Sequence, residues 1–148
     1  MVIAGNVLTA DGDTDIFAWI FDDNIGKTSF NSGNAKFYDV SGLGLDDEAK
    51  AIGGLSITEH IAHIVGATDL GTGAKDAFVL TIFKTSEVTD FGPTDNGIVT
   101  FDVDAGTGFA DFSGISATGN ELYLSGTLFD GKRKPFTSRI SADEGILD

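Results

Sequence analysis

The chain has 148 residues, with 23 Asp and Glu against 9 Lys and Arg, 20 Gly and no Cys. That length suits a single domain, 1–148, able to bury a core without a staple, and the missing Cys excludes disulfides, thiolate chemistry and Cys-based metal sites. A net charge of −14 argues against a nucleic-acid partner, because neutralising phosphates supplies most of the affinity there.

In chain order, residues 1–8 are apolar but too short and too poor in basic flanks for a signal peptide. The longest apolar run, 16–21, falls far below the ~20 residues a membrane-spanning helix needs. The expectation is a soluble chain with no N-terminal signal and no membrane span. Turn signals every 8 to 12 residues separate short strands, predicted at 2–9, 15–21, 27–30, 35–40, 77–84, 98–104, 109–112, 121–129 and 133–140. Asp130-Gly131 reads as the tightest hairpin, and Pro135 marks the returning strand as an edge. Residues 132–148 are read as that edge strand and a C-terminal arm.

One broken amphipathic helix is predicted over 46–66. Asp46, Asp47 and Glu48 suit the positive end of a helix dipole, and Gly53-Gly54 interrupts the run. Ser56 and Glu59 match a capping box, and Ile57, Ile61, Ile64 and Val65 then fall on one helical face. The fold class is therefore mainly β (α+β): an antiparallel β-sandwich or barrel with this helix packed on it. Strands 15–21 and 77–83 are apolar on both faces, so each needs two covers, supplied within the chain or by another subunit.

Asp11, Asp13 and Asp15 alternate as calcium ligands do, and Asp22 stands twelfth. An EF-hand is excluded, because Ile16 occupies the obligatory Gly position and the flanks read as strands. Calcium in another β-hairpin geometry is the cofactor this pattern admits; a plain polar turn between the first two strands is the simpler reading. Asp102 and Asp104 alternate in the same way. Glu59, His60 and His63 would form a metal set only with a distant further ligand. Gly42-Leu-Gly44 lacks the third Gly of a nucleotide loop, and the acids at 46–48 would repel a pyrophosphate. No nucleophile elbow, phosphate-binding loop or zinc-protease motif occurs.

Charge is uneven. Residues 1–131 carry a balance of −15 and residues 132–148 a balance of +1, with Lys132, Arg133, Lys134 and Arg139 beside the edge strand. Such charges deter stray strand pairing, or they dock on an acidic neighbouring copy. The interface residues read from these features are Trp19, Phe21, Lys132, Arg133, Lys134 and Arg139. The expected function is a non-enzymatic structural subunit of a larger assembly, for example a virion capsid-decorating or tail protein. It would associate with copies of itself or with other assembly subunits. The alternatives are an extracellular, calcium-dependent binding module and a small enzyme with a carboxylate or His site.

Overall fold

A computed structural model describes residues 1–20, 30–53, 60–83, 92, 97–102 and 108–141. Its strands are β1 (Val2–Leu8), β2 (Thr14–Ile20), β3 (Lys36–Tyr38), β4 (Asp47–Gly53), β5 (His60–Asp69), β6 (Lys75–Phe83), β7 (Ile98–Phe101), β8 (Phe109–Thr118), β9 (Glu121–Phe129) and β10 (Arg133–Ser141). A 3-10 turn, Phe30–Gly33, stands between β2 and β3. The protein is mainly β, in two sheets. One has three strands in the order β1-β2-β3; the other has seven, in the order β10-β9-β8-β6-β5-β4 with β7 also on β6.

The predicted helix over 46–66 is a correction. Its first part is β4 and its last part is the beginning of β5, paired antiparallel from Asp47↔Thr68 to Gly53↔His63. Ala, Glu and Lys are good helix formers, so Asp-Glu-Ala-Lys-Ala reads as helix by propensity. The burial of β4 alternates strictly instead, with Asp47, Ala49 and Ala51 turned inward. In β5 the apolar spacing imitates a helix because Ile64 and Val65 are buried on opposite faces of one strand. The capping-box residues Ser56 and Glu59, and Ile57, lie outside the described residues. Of the strand expected at 27–30, only position 30 is described, and it opens the 3-10 turn.

The larger sheet folds over. β6 and β8 meet at a single parallel pair, Lys75↔Phe109, while β8, β9 and β10 pair along their lengths. One face of β5 and β6 presents Val65, Ala77 and Val79 to Ala110, Phe112, Leu122, Leu124 and Ile140 of that folded part. The other face presents Ile64, Phe78, Leu80 and Ile82 to Ile16, Ala18 and Ile20 of β2. Both faces of β6 are thus covered by the chain itself, which accounts for its continuous apolar sequence. Phe112 anchors the first core, edge-to-face with Phe101 at 5.3 Å and 5.2 Å from Phe136.

Two close approaches require glycine. A Cβ on Gly66 would lie 1.8 Å from the Glu48 carbonyl, and one on Gly126 would lie 1.8 Å from the Asp111 carbonyl. Each faces a bulged strand: the register slips between Ala49 and Ala51 opposite Gly66, and between Phe112 and Gly114 near Gly126. The outer edge of β4 is closed by a side chain. Asn6 of β1 accepts from the Ala49 amide at 2.7 Å and donates to the Ala49 carbonyl at 3.4 Å, imitating a neighbouring strand. The predicted Asp130-Gly131 hairpin forms, with Gly131 at φ 82°, and β10 lies at the end of the sheet.

Candidate functional site

Three carboxylates converge where the sheets meet. β2 supplies Asp15, the β3–β4 connection supplies Asp39 and β4 supplies Asp47. One oxygen from each lies within 4.8 Å of the other two. The connection is shaped around Asp39, which accepts from the Ser41 hydroxyl at 2.7 Å and from the amides of Gly42 at 2.7 Å and Gly44 at 3.1 Å. Gly42 and Gly44 sit at φ 65° and 64°, a conformation that glycine adopts without strain. The amides of Gly42 and Gly44 are therefore spent on the chain's own carboxylate and that of Leu43 on the Ser41 hydroxyl, and β4 rather than a helix follows. Asp46 Oδ1 accepts from the Thr14 amide at 2.9 Å, tying the connection to the start of β2.

Asp47 is fully buried, at 0% exposure. Its Oδ2 accepts from the Val40 amide at 2.5 Å and the Ser41 amide at 3.3 Å, whereas its Oδ1 has no hydrogen-bond partner. Asp15 Oδ1 is likewise buried without one. Burial, and then the charge of Asp39, push the Asp47 carboxyl above the usual range, against the Thr68 hydroxyl and the two amides. Thr68 stands opposite Asp47 in register; it favours the charged form without reaching hydrogen-bond geometry. Asp15 is also raised, by burial and then by Asp13 and Asp39. Burial opposes ionisation of Asp39, but the hydroxyl and amides around it win and hold its carboxyl below the usual range. Among the described residues no salt bridge reaches any of the three.

Asp11 and Asp13 lie in the β1–β2 turn, where Asp13 accepts from the Thr9 hydroxyl. Asp15 is the member of that alternating set that joins Asp39 and Asp47. No protein-family model, curated protein or solved structure matches this chain.

The outward face of the three-stranded sheet is apolar. Ile3 stands directly across from Trp19, and Phe17 stands between Gly5 and Phe37. Ile3 is 40% exposed and Phe37 59%, while Phe17 and Trp19 are half-buried. The 3-10 turn covers part of Trp19, whose Nε1 donates to the Gly33 carbonyl at 3.3 Å. Phe21 lies outside the described residues.

The basic patch is partly neutralised within the chain. Lys134 pairs with Asp130 at 2.6 Å and Arg139 with Glu121 at 3.2 Å. Among the described residues no ion pair involves Lys132 or Arg133. Arg133 instead lines a groove of about 450 Å³ with Lys50, Phe109, Asp111, Thr127 and Phe129. Across it, Lys50 of β4 pairs with Asp111 of β8 at 2.7 Å, and Asp111 also accepts from the Thr127 amide at 3.0 Å. Burial lowers the Lys50 pKa, but Asp111 and Glu48 raise it further, so the net shift is upward.

His63 is buried in β5, with Nδ1 2.9 Å from the hydroxyl of Thr81, its partner in register. Glu59 and the His60 side chain lie outside the described residues, as does Asp104; Asp102 is exposed beyond β7. The Asp15–Asp39–Asp47 cluster was not legible in the sequence, because its members are spread over 15–47 and only the fold joins them. The Asp39-Val-Ser41-Gly42 turn chemistry was the available signal.

Proposed function

We propose that this chain is a non-enzymatic structural subunit of a larger assembly, joining copies of itself through two surfaces. The observation that supports this most is the apolar outward face of the β1–β2–β3 sheet. There, Ile3, Phe17, Trp19 and Phe37 are contiguous and two of them, Ile3 and Phe37, are exposed. An apolar patch of this kind on a chain with 23 acids gains by excluding water against a like patch, which is the self-complementary contact of a two-fold dimer. The second surface is the β10 edge with Lys132 and Arg133, which suits the acidic body of a further copy and would extend the dimer into a larger array. With β8–β10 over one face of β5 and β6 and β2 over the other, the architecture fits a β-sandwich thickened by one layer.

Among the described residues, no helix is long and apolar enough to cross a membrane. A subunit of this kind suits a virion or an extracellular assembly. The second reading, a calcium-dependent binding module, is favoured by the Asp15–Asp39–Asp47 cluster.

Sedimentation velocity on two variants tests the proposal. Phe37→Glu changes a residue that is 59% exposed, so the fold should tolerate it, and it should abolish dimer formation. Lys132→Glu with Arg133→Glu should leave the dimer intact and remove larger species. Unchanged mass distributions in both variants would refute these surfaces as contacts.

A further inference from the structure

We infer that Asp15, Asp39 and Asp47 bind one calcium ion, which clamps the start of β2, the β3–β4 connection and the start of β4 together. Ligands held by one calcium at about 2.3–2.6 Å lie no more than about 5 Å apart. The three oxygens, within 4.8 Å of one another, meet that condition.

The cluster alone would be weak grounds, since acidic groups gather without metals. The stronger observation is that a side chain at 0% exposure, Asp47, leaves Oδ1 unpartnered: the Val40 and Ser41 amides donate to its Oδ2, and the Thr68 hydroxyl opposite it, also buried and unpartnered, stays short of hydrogen-bond geometry. Asp15 Oδ1 is a second buried oxygen without a partner. Buried carboxylate oxygens are as a rule satisfied in folded proteins, because leaving one bare costs its full desolvation. A proton shared by two carboxyls would satisfy one of them. A divalent ion satisfies both and also offsets the mutual repulsion of three acids that, among the described residues, have no cationic side chain in salt-bridge contact.

The donor set is all oxygen, which suits a hard cation such as calcium over metals that prefer nitrogen or sulfur ligands. Asp39 is exposed, so water can complete the six to eight ligands that calcium takes. The inference is independent of how copies associate, because all three ligands belong to one chain.

The test uses the full chain, calcium chloride, and sodium chloride at matched ionic strength. Calcium at about a hundredfold excess over its Kd should raise the melting midpoint by roughly 5–10 °C. Titration calorimetry should give one calcium per chain. Asp11→Asn should behave as the wild type. Asp15→Asn should lose both the shift and the binding, while its calcium-free midpoint equals or exceeds that of the wild type, because a penalised charge has been removed. Asp47→Asn, which keeps an oxygen for the Val40 and Ser41 amides, provides the same readout should Asp15→Asn not fold. The proposal is overturned by absent binding at millimolar calcium, by an equal shift with sodium chloride, or by undiminished binding in the Asn variants; the last would place the ion elsewhere.

Discussion

Truncating β6 on either face should destabilise the protein, and this separates a strand covered twice from an ordinary sandwich strand with one wet face. Phe78 and Val79 are adjacent, both at 0% exposure, and point into different cores. Phe78→Ala removes a large ring from the core shared with Ile16, Ile64 and Leu80, a loss of about 3–5 kcal/mol. Val79→Thr keeps the shape but buries a hydroxyl among Val65, Val99, Phe101 and Phe112, which costs about 1–3 kcal/mol. For a chain of this length each kcal/mol moves the melting midpoint by about 2–4 °C. The expected drops are roughly 6–20 °C for Phe78→Ala and 2–12 °C for Val79→Thr. Thermal unfolding followed by circular dichroism measures both, with urea m-values checking that the unfolded state is unchanged. A wild-type midpoint for Val79→Thr would mean that face meets water, and the packing of β8–β10 over β6 would be wrong.

Three further outcomes follow from named contacts. Gly66→Ala places a Cβ against the Glu48 carbonyl, so β4 must shift, at a loss of about 3 kcal/mol, read from the urea midpoint. Lys50→Met strands Asp111, whose side chain is 11% exposed, and should cost about 1–3 kcal/mol; adding Asp111→Asn should recover part of it, which a double-mutant cycle measures. Without calcium, stability should rise as pH falls from neutrality towards the unfolded carboxyl value of 3.8. The carboxyls of Asp15 and Asp47 are raised when folded, so their contribution is complete below the unfolded value of 3.8 and is lost as pH climbs through the folded values. Asp39, which is lowered, acts oppositely and only at more acid pH. Saturating calcium should flatten the rise, and Asp15→Asn should reduce it; a slope identical in Asp15→Asn and wild type would contradict the assignment.

How much of this could be read beforehand differed by element. The sequence of β6 announced its two covers, because Phe78, Leu80 and Ile82 alternate with Ala77 and Val79 and leave no polar face. The same property hid β5: a strand buried on both faces loses its two-residue period, so Ile64 and Val65 resembled one face of a helix. β4 did keep its alternation, but its Ala and Lys content favoured helix. The β8–β9 hairpin shows an overlooked signal. Gly119-Asn120 is a two-residue turn type, and Gly119 does sit at φ 59° between Thr118 and Glu121. The acidic cluster was beyond reach, since the meeting of Asp15 with Asp39 and Asp47 depends on how the two sheets dock. The basic patch was legible in composition only. That Lys134 and Arg139 find Asp130 and Glu121 depends on strand register, and among the described residues it leaves Lys132 and Arg133 outside any ion pair.

The central claim, that copies associate through the Ile3–Phe17–Trp19–Phe37 face, is tested most directly by the molar mass of the wild-type chain in solution. Light scattering on chromatographic fractions, over a hundredfold range of protein concentration and at low and high salt, supplies it. The account predicts at least a dimer, retained in high salt because its contact is apolar, with larger species at low salt that disperse as salt screens Lys132 and Arg133. The mass of a single chain under every condition would contradict it.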